Sequence, residues 1–422
     1  MRDTATGCSG KTWLWLATFA GLWLSLMVPQ QAAAVPAYAR QVKMECAACH
    51  FQHYPKLNAF GRAFKSNGYS QTSQELIEGD RLSIPPVLNA SVYFKTHVTE
   101  TNDVGVSSDA TYAFPDEAAL LIGGRLGDGI GGFIEMSEGI LSYKVSMTRQ
   151  LHDSLAAGVT VFATDGIGAP FGFELMNTGA VANVRPFERA AQPSLGNFGL
   201  NLSGAATGVS VHVADADWFA SVSGFIPDSA AAGLTDMDAG GHLAGYFRAA
   251  WMPTFNGLDT GIGVGVFSGD TDATCAAGPS DCPVVGARTE FATSAWFIDA
   301  QLQGAVAGKD LGLYFMYVHG DDEVSSGNRV NLFNGGFTDA PAGWGLDVEY
   351  SMTRAVHLLG SIGWHDNGDP VNDSVTGYGV GAYWAILQNV TLQGMLESFD
   401  GNNTDSQSTR ESRWTAQLET AF

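Results

Sequence analysis

The chain has 422 residues, 52 of them glycine and only 15% charged, with a formal net charge of −22. Beyond the N-terminal segment no run of about 18 apolar residues occurs, which excludes a helical membrane protein. Duplex nucleic acid is disfavoured as a partner because the Lys and Arg clusters that bind phosphates are missing. The composition favours a mainly β chain, either soluble or an outer-membrane barrel.

The first 34 residues are ordered like a secretory signal peptide. Arg2 and Lys11 precede the apolar run 13–28, and three alanines at 32–34 follow it as a small-residue cleavage site. The run is shorter than the roughly 20 residues that a membrane-spanning helix needs. We therefore expect cleavage after Ala34 and export of the chain.

Three regions are expected after the signal peptide: a head at 35–70, a polar connector at 71–87 and a long body at 88–422. Residues 35–69 carry five Lys and Arg residues against Glu45 alone. Everything after residue 69 has 14 basic and 41 acidic residues, a net charge of −27. The opposite charges predict that the head and the body attract each other.

The head contains the motif Cys46-Ala-Ala-Cys49-His50. Two thiols at this spacing add to the vinyl groups of a haem while the adjacent imidazole binds its iron, so C-x-x-C-H in an exported chain predicts one covalent haem c. A redox-active thiol pair or a zinc site is the alternative. The following histidine and the lack of a second paired cluster in the sequence argue against both.

Residues 56–67 have the pattern of a short amphipathic helix. Leu57, Phe60 and Phe64 recur at spacings of three and four, and Gly68 follows the last turn. A head of this size cannot cover both faces of a haem, because chains below about 40 residues generally need outside help to fold. The head is therefore expected to pack against the body, as a haem-bearing plug in a wide barrel.

The sequence defines the other contacts of such a haem less clearly. Arg62 and Lys65 are candidate partners of the haem propionates, since charge-assisted hydrogen bonds favour that pairing. The sixth iron ligand stays open: His53 and Met44 are tethered close to the motif, and single His or Met residues on predicted strands are more often packing residues. Those residues are His97, His152, Met136, Met147 and Met176.

The body alternates with period two. In the clearest segment, 261–266, glycines occupy one side and β-branched residues the other, and similar segments occur at 310–319, 355–364, 377–384 and 390–399. Segments of about 10 residues with aromatic ends predict a transmembrane antiparallel β-barrel, here of about 16 strands. A soluble β-sandwich or propeller is the alternative.

The ends and connections of these segments support the barrel. The chain closes with the alternating segment 413–422 and a terminal Phe422, an ending similar to the assembly signal of outer-membrane barrels. Short and long connections alternate, as in barrels with short periplasmic turns and long outer loops. The tight connections are 127–129, 308–309 and 388–389, and the long polar ones are 270–287, 320–340 and 400–411.

Two further cysteines, Cys275 and Cys282, lie in one of the long loops. An exported protein meets an oxidising environment, which favours a small loop disulfide between them. Metal binding by the two cysteines is the lesser alternative. The acidic pairs of the loops are expected to be solvated residues, and cation binding is the lesser alternative for them too.

Several stretches of the head carry a resemblance to a known family. They are Pro36-Ala-Tyr-Ala-Arg-Gln41, the C-x-x-C-H motif, Tyr54-Pro-Lys-Leu-Asn-Ala-Phe-Gly-Arg-Ala-Phe-Lys65 and Gly68-Tyr69. Together they resemble the head of the fused outer-membrane cytochrome-porins of iron-oxidising bacteria. The rest of the chain agrees with that family in its barrel pattern alone.

The resemblance implies an Fe(II):cytochrome c oxidoreductase. Extracellular Fe(II) would give its electron to one haem, held at the periplasmic side of the pore or inside it, and a periplasmic c-type cytochrome would receive it. The acidic body agrees, because it would gather cations near the pore mouth. Two other functions stay open: a porin with a redox-sensing or gating haem plug, and a conduit for a different extracellular donor. In each, outer-membrane lipid would surround the barrel.

Overall fold

A computed structural model describes most of the chain. The signal peptide expected at 1–34 lies outside the described residues, as does the loop segment 275–287 with Cys275 and Cys282. The described residues are 36–80, 82–103, 109–137, 140–179, 202, 204–227, 242–274, 288–322, 331–334, 339–371, 373–387, 389–401 and 410–422.

The head is built from short helical pieces. It begins with α1 (Pro36–Val42), passes through a 3₁₀ turn (Cys46–Ala48) and ends with α2 (Ala59–Ser66). The helix expected at 56–67 begins at Ala59 instead, because Asn58 caps it: its Oδ1 accepts a hydrogen bond from Gly61 N at 3.0 Å. No helix in the described part of the chain is long and apolar enough to cross a membrane.

After the connector, which holds the hairpin of β1 (Ile77–Gly79) and β2 (Leu82–Ile84), the described body forms a closed antiparallel barrel. Sixteen long strands close it, and the two-residue β11 opens one hairpin. β13 and β14 form a separate two-stranded sheet. The strands are β3 (Ala90–Asp103), β4 (Asp109–Gly127), β5 (Ile130–Ser137), β6 (Ile140–Gln150), β7 (Ala156–Thr164), β8 (Ala206–Ala214), β9 (Trp218–Ile226), β10 (Ala244–Trp251), β11 (Thr254–Phe255), β12 (Leu258–Ser268), β13 (Asp270–Thr274), β14 (Arg288–Ala292), β15 (Ala295–Val306), β16 (Lys309–Gly320), β17 (Ala342–Ser351), β18 (Val356–Asp366), β19 (Ser374–Leu387), β20 (Val390–Gly401) and β21 (Arg410–Ala421).

The two ends of the body meet at the seam of the barrel. β21 pairs with β3, and the register places Ala421 opposite Tyr93. Phe422 and Val92 then exchange backbone hydrogen bonds of 2.9 and 3.2 Å. The predicted barrel and its C-terminal strand are thereby confirmed, and the sandwich and propeller alternatives are excluded.

Side chains on the barrel strands alternate between the lipid-facing side and the enclosed lumen. On β17, Trp344 and Val348 face outward, whereas Asp347 and Glu349 face inward and are buried. An apolar outer face with polar residues inside is typical of a barrel that spans a membrane, where lipid replaces water around the strands.

The glycines of β12 face the lumen, where they leave room for larger side chains. Ile262 is 63% exposed on the outer face, and Gly261, Gly263 and Gly265 face inward. A Cβ on Gly265 would overlap the ring of Phe297. The predicted division of this strand into a small side and a β-branched side is therefore confirmed, and the small side packs against the interior.

One half of the lumen is filled. The connection from β7 to β8 turns inward, and its residues 168–179 are all buried. Aromatic and aliphatic side chains from β7, β9, β10, β12, β15 and β16 pack with this inward loop, which we define as residues 165–179. The buried members of this apolar cluster are Phe162, Ala169, Phe171, Leu202, Ala206, Phe225, Ala244, Tyr246, Phe267, Ala295, Phe297, Tyr314, Met316, Val318 and Phe333.

Adding a side chain to the small face of β12 should destabilise the filled half of the barrel. We expect Gly265→Ala to cost about 1–3 kcal/mol, because the new methyl group overpacks against Phe297. The temperature at which the compact barrel loses its heat-modifiable mobility in electrophoresis measures this. Gly360→Ala is the matched control, since a Cβ there meets nothing within 4 Å; an equal loss in both variants would contradict the packing argument.

Candidate functional site

The C-x-x-C-H motif forms a tight turn. Cys49 N and His50 N both donate hydrogen bonds to Cys46 O, at 3.0 and 2.9 Å, which closes the 3₁₀ turn and brings the two cysteines and the histidine together. Both cysteines are half-buried. Burial, with the thiol of Cys46 beside it, raises the pKa of Cys49.

The imidazole of His50 is fixed from one side. Its Nδ1 lies 3.1 Å from the carbonyl oxygen of Lys56. A carbonyl only accepts hydrogen bonds, so we assign the proton to Nδ1, which leaves the Nε2 lone pair for a metal. Burial lowers the pKa of His50 to about 4 despite backbone contacts to Lys56 and Pro55 that act the other way. The ring is therefore neutral, the form that binds metal ions.

Asn58 and Gly61 join the motif turn to α2. The amide of Asn58 donates to the carbonyl oxygens of Ala47 and Ala48, at 3.2 and 3.1 Å, while its oxygen caps the helix. A Cβ on Gly61 would overlap the carbonyl oxygen of Cys49. The glycine thus permits the close approach of helix and turn that holds the motif in place.

Charged side chains attach the head to the barrel wall. Lys56 pairs with Glu349 on β17, and the side chains are 0% and 4% exposed. Burial lowers the pKa of Lys56, and the carboxylate of Glu349 opposes that shift. Arg62 Nη2 donates to both oxygens of Asp259, at 2.9 and 2.8 Å. These contacts agree with the predicted attraction between a basic head and an acidic body.

His53 belongs to the same attachment. Its Nε2 lies 3.0 Å from Glu349 Oε2, its Nδ1 lies 2.5 Å from the carbonyl oxygen of Tyr54, and its ring stacks on Tyr383 with 4.4 Å between centroids. Both ring nitrogens are engaged with oxygen atoms. His53 therefore serves the contact between the head and the wall in this structure.

The inward loop also contacts the head. Leu57 N donates to Asn177 Oδ1 at 2.6 Å, and Asn177 Nδ2 donates to Leu57 O at 2.9 Å. The loop itself is tied to the wall by a buried ion cluster, in which Arg248 bonds Glu174 at 2.8 Å and Asp299 at 2.7 Å. The segment of the head just after the motif is thus held between loop and wall.

The donor set fits the attachment of a haem. Two thiols and a histidine whose Nε2 is assigned as unprotonated lie on one turn, which is the set that covalent haem attachment requires. Apolar side chains around the turn are unusually accessible: Met44 is 43%, Tyr54 45% and Phe60 39% exposed. Surface of this kind suits contact with a large apolar ring.

The other residues singled out by the sequence have distinct positions. Arg62 pairs with Asp259, but its Nη1 is buried with no hydrogen-bond partner among the described residues. Lys65 is half-buried, and burial lowers its pKa to about 8. The assignment of both to haem propionates stays a prediction.

The candidate sixth ligands spread over the molecule. Met136 and Met147 are 39% and 45% exposed on β5 and β6. Met176 is fully buried in a second apolar cluster of the inward loop, and His152 is exposed in the turn before β7. His97 has its Nδ1 3.2 Å from Asp116 Oδ2. Among the described residues, no hydrogen bond, ion pair or ring contact joins any of these five to the motif turn.

Sequence patterns did not single out the wall residues Glu349 and Asp259. A partial signal exists for Glu349, since it occupies an inward position in the alternating segment of β17 with Asp347 two residues before it. Nothing in the sequence connects it with Lys56, which lies 293 residues away along the chain.

The described fold is that of a porin. Pseudomonas putida OprB, solved at high pH, is 12% identical and has a TM-score of 0.53 over 79% of this chain and 94% of its own. A mutant of the Rh. blastica porin (12% identity, TM-score 0.46, 80% and 100%) and Vibrio cholerae OmpT (8%, 0.46, 82% and 100%) are also similar. No protein-family model and no curated protein sequence matches the chain. At such identities the likeness concerns the fold alone.

Removing the wall carboxylate should loosen the head. We expect Glu349→Gln to destabilise the docked head by about 3–5 kcal/mol, because it leaves the buried Lys56 ammonium without its counter-charge. Hydrogen exchange of residues 50–60, followed by mass spectrometry, should accelerate. Glu397→Gln is the control, because Glu397 forms a buried pair with Arg413 within the wall. Equal acceleration in both variants would contradict the docking role.

Proposed function

We propose that this protein is an outer-membrane electron-transfer protein that oxidises extracellular Fe(II) through one haem c and delivers the electron to a periplasmic cytochrome. One observation carries the proposal: the C-x-x-C-H turn, with His50 Nδ1 held by the Lys56 carbonyl, is anchored against the inner wall of a closed barrel. A haem-bearing plug of this kind accounts for both halves of the chain.

The residues of the turn have separate tasks in this proposal. Cys46 and Cys49 would hold the group by thioether bonds, and His50 Nε2 would bind its iron. The chemistry that a bound haem supplies is one-electron transfer, in which one Fe(II) becomes Fe(III) and the electron leaves with the acceptor. Lys56 O keeps the ring of His50 in one orientation, which is how histidine ligands are usually fixed.

The anchors lie near one end of the barrel. Glu349 and Asp259 are close to the strand ends that short turns join, at 352–355 and at 256–257. Short turns lie on the periplasmic side of outer-membrane barrels. The head would therefore sit towards the periplasm, where a soluble cytochrome can approach it, and this orientation supports the proposed direction of electron flow.

The packing of the lumen favours electron transfer over solute diffusion. Porins keep a polar, water-filled interior. Here buried aromatic side chains, among them Phe162, Phe225 and Phe297, fill the half of the lumen that contains the inward loop. The head then lies against the wall at Glu349 and Asp259. A porin with a gating plug would have to move several buried contacts for each opening.

The other half of the lumen is polar and acidic, which suits a cationic donor. Carboxylates outnumber Lys and Arg among the buried and half-buried side chains of β3, β4 and β17–β21, and such a lining attracts cations. The motif turn faces this half, since Cys46 lies close enough to Tyr383 to interact with it electrostatically. The carboxylates are Glu100, Asp116, Glu117, Asp347, Glu349, Asp366, Glu397 and Glu419, and the basic residues are Lys95, Arg125 and Arg413.

Addition of Fe(II) to the purified protein tests the proposed donor. We expect the isolated full-length protein to carry covalent haem and to show the absorption bands of reduced haem when Fe(II) is added without oxygen. The double variant Cys46→Ala/Cys49→Ala should retain the barrel and show neither. Full reduction by dithionite with none by Fe(II) would remove Fe(II) as donor, and rapid swelling of protein-containing liposomes in sugar solution would favour a diffusion porin.

The predicted contact of Arg62 with a haem propionate can be tested separately from its contact with Asp259 on the wall. If Arg62 also meets a haem propionate through Nη1, Arg62→Ala should shift the midpoint potential, because a positive charge near the haem is lost. Asp259→Asn removes only the wall partner of Nη2 and should shift the potential less. Redox titration of both holoproteins compares their midpoint potentials. Equal potentials in the two variants would contradict a contact between Arg62 and the haem and leave only its contact with the wall.

A further inference from the structure

The side chain of Asn177 pairs with a whole peptide group of the head. Its carboxamide oxygen accepts from Leu57 N at 2.6 Å, and its carboxamide nitrogen donates to Leu57 O at 2.9 Å. A carboxamide has one acceptor and one donor end, so this pairing reproduces what a neighbouring β-strand would offer. Leu57 therefore has both of its backbone groups fixed by the barrel's loop.

Leu57 in turn adjoins the histidine of the motif. His50 and Leu57 form an isolated antiparallel bridge, and the preceding carbonyl, that of Lys56, receives His50 Nδ1 at 3.1 Å. Phe51 N donates to the same carbonyl at 2.9 Å. The short segment from Lys56 to Leu57 thus has Asn177 on one side and the ligand histidine on the other.

The backbone at Asn177 is anchored to the wall of the barrel. Its backbone N donates to Gln301 Oε1 at 2.9 Å, and the next residue, Thr178, donates to Asp299 Oδ2 at 2.5 Å. Asn177 and Thr178 are fully buried. Because these two anchors lie on β15 and both residues are buried, the barrel sets the position of the carboxamide.

We propose that Asn177 is a positioning residue for His50, acting through the Lys56–Leu57 segment. It holds the Lys56 carbonyl at hydrogen-bond distance from Nδ1 and so maintains the basicity and the orientation of the iron ligand. This assignment rests on the proposed haem attachment. It makes the inward loop, which belongs to the barrel, a determinant of the redox potential of the head.

The direction of the effect follows from ligand chemistry. A hydrogen bond from Nδ1 to a carbonyl increases electron donation by the histidine, and a stronger donor stabilises the more highly charged, oxidised iron. Loss of the carboxamide frees Leu57 and lets the Lys56 carbonyl drift. The bond to Nδ1 weakens, and the midpoint potential rises.

Two measurements on the full-length holoprotein test the assignment. For Asn177→Ala we expect faster hydrogen exchange at residues 50–58 and a higher midpoint potential in a mediated redox titration. A shift of up to about 59 mV corresponds to a tenfold change in the one-electron equilibrium constant. Asn177→Asp keeps an acceptor for Leu57 N, so its exchange and potential should lie between those of the wild type and the alanine variant.

Thr178→Val is the matched control, since it removes a loop contact with Asp299 but no contact with the head. It should leave the potential near that of the wild type. Faster exchange in Asn177→Ala without a change of potential would overturn the proposal, as would an equal shift in Thr178→Val. Neither measurement uses Fe(II), so a failure here is distinguishable from a failure of the proposed donor.

Discussion

The position of the head depends on the burial of Lys56 beside Glu349. An ammonium group removed from water is stable only with a counter-charge and hydrogen bonds, and Lys56 finds them on the barrel wall and at Gln52 Oε1, 3.1 Å away. The same residue offers its backbone carbonyl to His50. Lys56 therefore links the contact with the wall to the contact with His50.

The interior of the barrel gives that contact its setting. Where porins keep a polar channel, the inward loop and the apolar cluster around Phe297 fill one half of the lumen and leave a polar half beside the motif turn. The glycines of β12 make this possible, because Gly263 and Gly265 leave the space that Arg248 and Phe297 occupy. In the sequence these glycines are one side of a period-two pattern. In the folded barrel they leave the space into which interior side chains pack.

Local patterns in the sequence were sufficient to predict the barrel and to locate the candidate site. Period-two alternation gave the barrel, and the C-x-x-C-H spacing gave the candidate site. The contact partners of the head could not be predicted from the sequence, because Lys56 and Glu349 lie 293 residues apart and Leu57 and Asn177 lie 120 residues apart. Pairs of that kind depend on barrel closure and strand register. Arg62 shows the same limit: its charge predicted an anionic partner, but only the register of β12 places Asp259 beside it.

The head has too little apolar interior to fix its own shape. Its buried cluster consists of Val42, Phe64 and Tyr69 with Tyr38 packed against them, and Tyr38 itself donates to Gly132 O on the wall at 3.0 Å. Chains this short need outside help to fold. Two kinds of contact with the barrel stabilise the head: ion pairs with the wall, and the hydrogen bonds of the Asn177 carboxamide. Ion pairs tolerate small displacements, whereas a donor and an acceptor matched to one peptide group do not. The barrel thus holds the head through charge and aligns it through Asn177, and alignment is the property on which a fixed histidine ligand depends.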